Sequence, residues 1–226
     1  MKHPAPTTHL WKDTAHRHFQ RWAHHYDRDL INFVLFNPTH RRVLAQLRHW
    51  QRRGLKGVNL LDVGCGTGNL LLRAARLPGL LARGAGLDMS DNMISYACAK
   101  IGRAGFDHVV HVVVGDAERL PFPDASFDVV TCCNSFHHYP HQDQAVGEMR
   151  RVLRPGGQVI LVDGHRDDPL GYVIFDVCVA RAEGHVRHCS AQRFRHLLAA
   201  VGFSPIRQQV FGICPPILCN VARTPL

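Results

Sequence analysis

The stretch that most narrows the fold is Val58-Asn59-Leu60-Leu61-Asp62-Val63-Gly64-Cys65-Gly66-Thr67-Gly68. A short apolar run gives way to glycine at three alternate positions, and a helical pattern starts directly afterwards. Glycine lacks a Cβ, so the backbone there can turn sharply and approach a ligand closely. The N–H groups opening the next helix favour an anionic or electron-rich group. In open α/β sheets, ligands bind in the crevice beyond the carboxyl end of such a strand.

The chain after Gly57 repeats this rhythm. Residues 84–87, 108–114, 127–133 and 158–162 are further short apolar runs and read as buried strands. Helical patterns lie between them at 70–76, 91–103 and 142–153. The alternation predicts a mostly parallel sheet with right-handed crossovers. Arg154-Pro155-Gly156-Gly157 reads as a tight turn feeding the fifth strand. Residues 167–182 form a helical insertion, and Ser190 caps a helix that Gly202 ends. Residues 205–212 and 216–222 then form a hairpin around Cys214-Pro215-Pro216.

Ahead of Gly57 the pattern is helical. Trp11, Ala15, Phe19, Trp22 and Tyr26 recur at steps of three and four, placing them on one face of a helix over 8–26. An apolar patch covers 30–36. Thr39 is read as the cap of a helix running to Arg53, with Val43, Leu44, Leu47 and Trp50 inward. Residues 1–56 are therefore a helical cap belonging to the same domain as the body, 57–226.

The formal charge of +9 invites a nucleic-acid reading until it is located. Residues 1–56 carry eleven Lys and Arg against three Asp and Glu, whereas 57–226 carry sixteen against fifteen. The excess belongs to the helical cap, where a solvated face, an anionic partner or weak contact with a membrane surface all satisfy it. No apolar stretch reaches the roughly 18–20 residues that span a bilayer. The N-terminal Met1-Lys2-His3-Pro4 lacks the apolar core of a secretory signal. None of the eight cysteines forms a C-x-x-C pair, so reduced thiols and a cytoplasmic location are expected.

Spacing discriminates among nucleotide sites. A dinucleotide fingerprint starting at Gly64 needs glycine at 69, where this chain has Asn69, and no Gly-Lys-Ser/Thr phosphate loop is present. Asp88 follows Gly68 by twenty residues at the end of the second strand, where a carboxylate can accept both hydroxyls of a ribose. Asp116 closes the third strand and is placed to meet an adenine amine or to orient its loop. Acids at three successive strand ends are a poor fit to core packing, because unpaired buried carboxylates are costly.

With these residues in view, the chain resembles the class I S-adenosylmethionine-dependent methyltransferases of the small type 11 group, which includes ubiquinone and menaquinone methyltransferases. The resemblance rests on 61–68, Leu87-Asp88-Met89, Gly115-Asp116-Ala117, Leu120-Pro121-Phe122 through Ser126-Phe127-Asp128, and 151–157. It implies a Rossmann-like sheet of seven strands, the last antiparallel, with helices on both faces. It further implies S-adenosyl-L-methionine as cofactor, held at Gly64, Gly66, Asp88, Met89, Asp116 and Ala117, and at Cys133 or Asn134 past the fourth strand. Gly68 completes the turn. Asp62 either binds the amino group of the methionine moiety or braces the glycine loop. The segment from Trp22 to Asp27 resembles a lid whose Tyr26 borders the methionine end, although packing alone also explains Trp22 and Tyr26.

Methyl transfer uses an electrophile that is already activated, so alignment of the acceptor matters most. Where the acceptor must lose a proton, the candidate base is His138 in Asn134-Ser135-Phe136-His137-His138-Tyr139. With seventeen histidines in the chain, a histidine is not a signal by itself. Glu183, His185, His188 and Cys189 are the one local group of metal-ligand types, but no second half of a site is evident, and no metal is expected. A small-molecule acceptor is the leading expectation. The alternatives are an RNA or DNA acceptor, or a non-catalytic cofactor-binding module. No Asn/Asp-Pro-Pro-aromatic motif follows the fourth strand to favour a nucleic-acid base.

Overall fold

The computed structural model describes residues 8–22, 27, 32–51 and 57–226. The first apolar run forms β1 (Val58–Val63), and α3 (Asn69–Ala75) starts immediately beyond the glycine turn. The strands β2 (Leu81–Asp88), β3 (Val110–Val114), β4 (Phe127–Cys133), β5 (Leu153–Gly164), β6 (Ile206–Phe211) and β7 (Ile217–Arg223) complete one sheet in the order β3-β2-β1-β4-β5-β7-β6. β1 to β5 are parallel neighbours, and β7 is antiparallel to both β5 and β6. The order reverses between β2-β1 and β4, so the crevice beyond β1 lies at the switch point.

Alternation along β1 explains why both faces are covered. Leu61 and Val63 join Val130, Cys132, Val159 and Leu161 on one face, under α5 (Gln142–Val152) and α8 (Ala191–Ala200). Leu60 and Val58 join Val129, Ile160 and Val162 on the other, under α2 (Asn37–Gln51), α3 and α4 (Asp91–Arg103). Met149 and Phe194 are wholly buried on the first face, each worth about 1.5–3 kcal/mol of apolar transfer.

Three expected boundaries shift. The turn Arg154–Gly157 lies inside β5 as a bulge: the pairing steps from Phe127 with Leu153 to Val129 with Gln158, and Gly156 takes a φ of 71°. The helix expected to be capped by Thr39 starts earlier, because a π-helical turn, Asn32–Phe36, runs straight into α2 and Pro38 falls in its first turn, where its missing N–H is tolerated. Thr39 is instead a buried residue that accepts a hydrogen bond from the Asn134 side chain at 3.4 Å. The insertion after β5 is one helical segment of α6 (Pro169–Gly171), a π-helical stretch (Tyr172–Val179) and α7 (Ala180–Glu183). Ser190 does cap α8, accepting from the Arg193 N–H at 3.0 Å.

The expected first helix is α1 (Thr8–Trp22), packed on α4, α7 and the 3₁₀ turn Phe136–His138. Tyr26 and the stretch 52–56 fall outside the described residues. Among the described residues, no helix is long and apolar enough to cross a membrane, and all eight cysteines are free.

Candidate active site

The glycine turn is held from beneath by the neighbouring strand. The N–H groups of Gly64 and Cys65 both donate to the Leu87 carbonyl, at 2.7 and 3.0 Å. Gly64, with φ 73°, tolerates nothing larger: a Cβ there would lie 2.2 Å from Ser135 Oγ. Gly66 (φ 52°) donates its N–H to Asp88 Oδ2 at 2.9 Å, and Asp88 Oδ1 accepts from Ser90 N. Asp88 is held by backbone donors yet keeps lone pairs toward the crevice, and burial raises its pKa.

A cleft of about 690 Å³ opens over this turn. Gly64 and Gly66 line its floor, Asp88, Met89 and Met93 one side, Asp116, Ala117 and Glu118 the next, and Cys133, Asn134 and His138 its far end. Nine of the twelve sequence-predicted site residues thus meet in one cavity. Gly68 is outside it and serves α3 as a left-handed N-cap (φ 75°). Asp62 is also outside the cavity lining: it is buried beneath the turn, accepting from Thr131 Oγ1 at 2.7 Å. Burial, with the nearby Asp88 charge, pushes its pKa up to about 7. Its side-chain partner is thus on β4, and both readings of Asp62, contact with the methionine amino group or support of the loop, remain expectations. Tyr26 lies outside the described residues, but its neighbour Asp27 accepts from Thr67 Oγ1, Asn69 Nδ2 and Lys100 Nζ at 2.6–2.8 Å, which holds Asp27 to the start of α3 and to α4.

Sequence reasoning missed the roof. Lys12 and Phe19 of α1 line the cleft, and Lys12 Nζ bonds Asp116 Oδ2 and Glu118 Oε2. The helical stripe had shown Phe19 as an inward residue, but nothing local linked Lys12 to acids a hundred positions away. Arg151, by contrast, carried the resemblance yet lies away from the cleft. Its guanidinium bonds the carbonyls of Leu120 and Phe122 and the carboxylates of Asp124 and Glu148, fastening the loop before β4.

Asn134 adopts φ 54°, a left-handed conformation uncommon outside glycine. It stands with Phe19 and His138 between the first cleft and a second cavity of about 440 Å³. Leu35, Phe36, Phe175 and Val179 give the second cavity apolar walls. Its polar end holds His137, His138, Asp163, Glu183 and His188. Asp163 ends β5 and accepts from His137 Nδ1 at 2.7 Å and from His137 N at 3.0 Å. Burial works against a charge on His137, but Asp163 and then Glu183 outweigh it and hold the imidazole protonated well above the usual range. Burial and that neighbouring charge depress the His138 pKa below its ordinary value, with Glu183 at 3.1 Å acting against them. His185 lies elsewhere, stacked near Trp11, and Cys189 bonds Gln142 Oε1.

Comparison with known proteins agrees with this geometry. Residues 61–161 match the family model described as a methyltransferase domain, type 11. A demethylmenaquinone methyltransferase of Listeria welshimeri is 35% identical over 154 residues, 67% of this chain and 63% of that protein. The alignment therefore spans less than two thirds of that relative's length. A solved Burkholderia thailandensis 1,6-didemethyltoxoflavin-N1-methyltransferase, 19% identical, superposes with a TM-score of 0.76 over 100% of this chain and 94% of its own. A [4+2]-cyclase, 23% identical, superposes at 0.64 over 75% of each chain. At these identities the two superpositions speak for the fold alone, and a fold does not choose a reaction. Fold, glycine turn and strand-end acids are together those of a class I S-adenosylmethionine-dependent methyltransferase domain. Residues 61–161 are the part of the chain that matches the type 11 group.

Proposed function

We propose that this chain transfers a methyl group from S-adenosyl-L-methionine to a small, planar acceptor seated in the second cavity. The observation that carries the proposal is the shared wall: a nucleotide-type cleft at the switch point and an aromatic-walled pocket with an ionisable end have Phe19, Asn134 and His138 in common. The fit of the cofactor rests on Asp88 for the ribose hydroxyls, Asp116 for the base amine and the Gly64–Gly66 backbone for the methionine portion. The sulfonium centre supplies the activated methyl group. Residues of the chain hold the acceptor in line and exclude water, and alignment of this kind is worth roughly 7–11 kcal/mol.

The acceptor class follows from walls and floor. Leu35, Phe36 and Phe175 suit a flat ring, and the imidazole–carboxylate end suits a ring hydroxyl or N–H that loses its proton. Ring substrates named for the Listeria and Burkholderia proteins, a demethylated menaquinone and a toxoflavin precursor, are of this kind. His138, the one member of that polar end bordering both cavities, is the residue through which the reacting atom is deprotonated. The basic cap does not favour a nucleic acid, since Lys12 is already held by two carboxylates. Eight free cysteines suit a reducing cytoplasm.

The test is calorimetric binding of S-adenosylmethionine, followed by turnover on a panel of hydroxylated and N-heterocyclic aromatics. Absence of cofactor binding would overturn the proposal. His138→Asn is expected to lower kcat at least tenfold with cofactor affinity nearly unchanged.

A further inference from the structure

The polar end of the second cavity is assembled from three separate parts of the chain. His137 and His138 come from the 3₁₀ turn after β4, Asp163 from the end of β5, and Glu183 and His188 from the insertion and the stretch following it. Two carboxylates are enclosed there, and among the described residues no Lys or Arg lines the cavity. Enclosed carboxylates of this kind need compensating positive charge, and protonated His137 supplies one unit of it for the two.

Three atoms converge on one point. Glu183 Oε2 lies 3.1 Å from His138 Nε2 and 3.5 Å from His137 Nε2, and the three fall within 4.8 Å of one another. Ligands at zinc-type bond lengths of about 2.0–2.1 Å, set tetrahedrally, stand roughly 3.3–3.5 Å apart, and both distances from Glu183 Oε2 are close to that. Close as they are, His138 Nε2 and Glu183 Oε2 are both buried without an aligned hydrogen bond. A buried polar atom of this kind is costly to leave without a partner. His137 is turned toward the same point, because Asp163 holds its Nδ1–H at 2.7 Å and so aims Nε2 at Glu183; an ion bound there would displace the proton that Nε2 otherwise carries. A carboxylate behind a ligating histidine is the usual outer-shell arrangement.

We infer that His137, His138 and Glu183 form a site for a divalent cation of the zinc type at the acceptor end of the second cavity. Two imidazoles and one carboxylate leave at least one coordination position open, facing the cavity. An acceptor hydroxyl fits that position; coordination there would lower its pKa so that its proton is released to water, with His138 acting on the acceptor through the ion and not as the base. Binding of the ion is a property of these residues alone; only its use in deprotonating the acceptor rests on the methyl-transfer reading.

The test uses the tag-free full chain, stripped with a chelator and titrated with Co²⁺ while its visible absorption is followed. One equivalent per chain is expected, with the intense bands of a four- or five-coordinate ion. Glu183→Gln should weaken binding at least tenfold, and Asp163→Asn about 10–100-fold. His185→Ala, which alters a histidine outside the set, should leave it unchanged. S-adenosylmethionine affinity, measured on the same samples, reports whether each variant is folded. Absence of stoichiometric Co²⁺ binding by a chain that still binds the cofactor overturns the ion and leaves the methyl-transfer reading standing. Wild-type Co²⁺ affinity in Glu183→Gln also overturns it.

Discussion

Asp88 Oδ2 accepts the Gly66 N–H at 2.9 Å, so the carboxylate that ends β2 also holds the turn that ends β1. One side chain thereby holds the glycine loop, and in the proposed function it is also the acceptor for the ribose hydroxyls.

Asp88→Ala removes both functions and leaves the Gly66 and Ser90 N–H groups without this partner. Hydrogen bonds to a charged group are worth about 1.5–3 kcal/mol each, so S-adenosylmethionine affinity should fall at least roughly 100-fold. Calorimetry on a variant with an unchanged circular dichroism spectrum checks this. Unaltered affinity would remove Asp88 from the site.

Gly64→Ala is expected to destabilise the chain by about 1–3 kcal/mol, combining left-handed strain with a Cβ that meets Ser135. The added Cβ would stand 2.6 Å from Ser135 Cβ as well as 2.2 Å from its Oγ. Ser135→Gly should therefore recover part of the loss in the double variant, while the cost of the left-handed φ should persist. Denaturation curves of the two single variants and the double one decide it.

Asp62 makes the cofactor-free chain less stable as pH rises. Its ordinary pKa is 3.8 and its folded value is pushed up to about 7. At low pH the carboxyl is neutral in both states and costs nothing. Between these two values the unfolded chain ionises first, so stability declines, and above about 7 the loss, a few kcal/mol at most, is complete. Asp62→Asn should flatten this slope and be more stable than the parent at pH 8. Urea denaturation at several pH values measures it; an unchanged slope would count against a buried, neutral Asp62.

Lys12 fastens α1 across the cleft. Its partner Glu118 is only 5% exposed, with a second bond from His141 N at 2.7 Å. Lys12→Met should loosen α1, costing about 1–3 kcal/mol locally, because it strips one partner from a buried carboxylate. Faster amide exchange over residues 8–22 is the expected signature, with slower exchange restored by bound cofactor.

Much of this architecture was legible in one dimension, for a local reason. Apolar runs alternating with helical periodicity reflect burial on both faces of a parallel sheet, and Gly64, Gly66, Asp88 and Asp116 sit at strand ends that the pattern locates directly. Boundaries slipped where the backbone departs from regular geometry, at the bulge of Arg154–Gly157 and at the π-helical turn before α2.

The sequence by itself determined the fold class, the glycine turn and the acids around it, because each depends on residues close together in the chain. Tertiary structure alone decided that Asp62 is buried against Thr131, that Lys12 reaches Asp116 and Glu118, and which histidines gather around Glu183. Glu183 and His188 looked like half a site with no partner. Folding brings His137, His138 and Asp163 to them across some 20–50 positions, since β4 and β5 are neighbours in the sheet and the insertion folds back over their carboxyl ends. Contacts of that kind are set by strand order and helix packing, which no local pattern records.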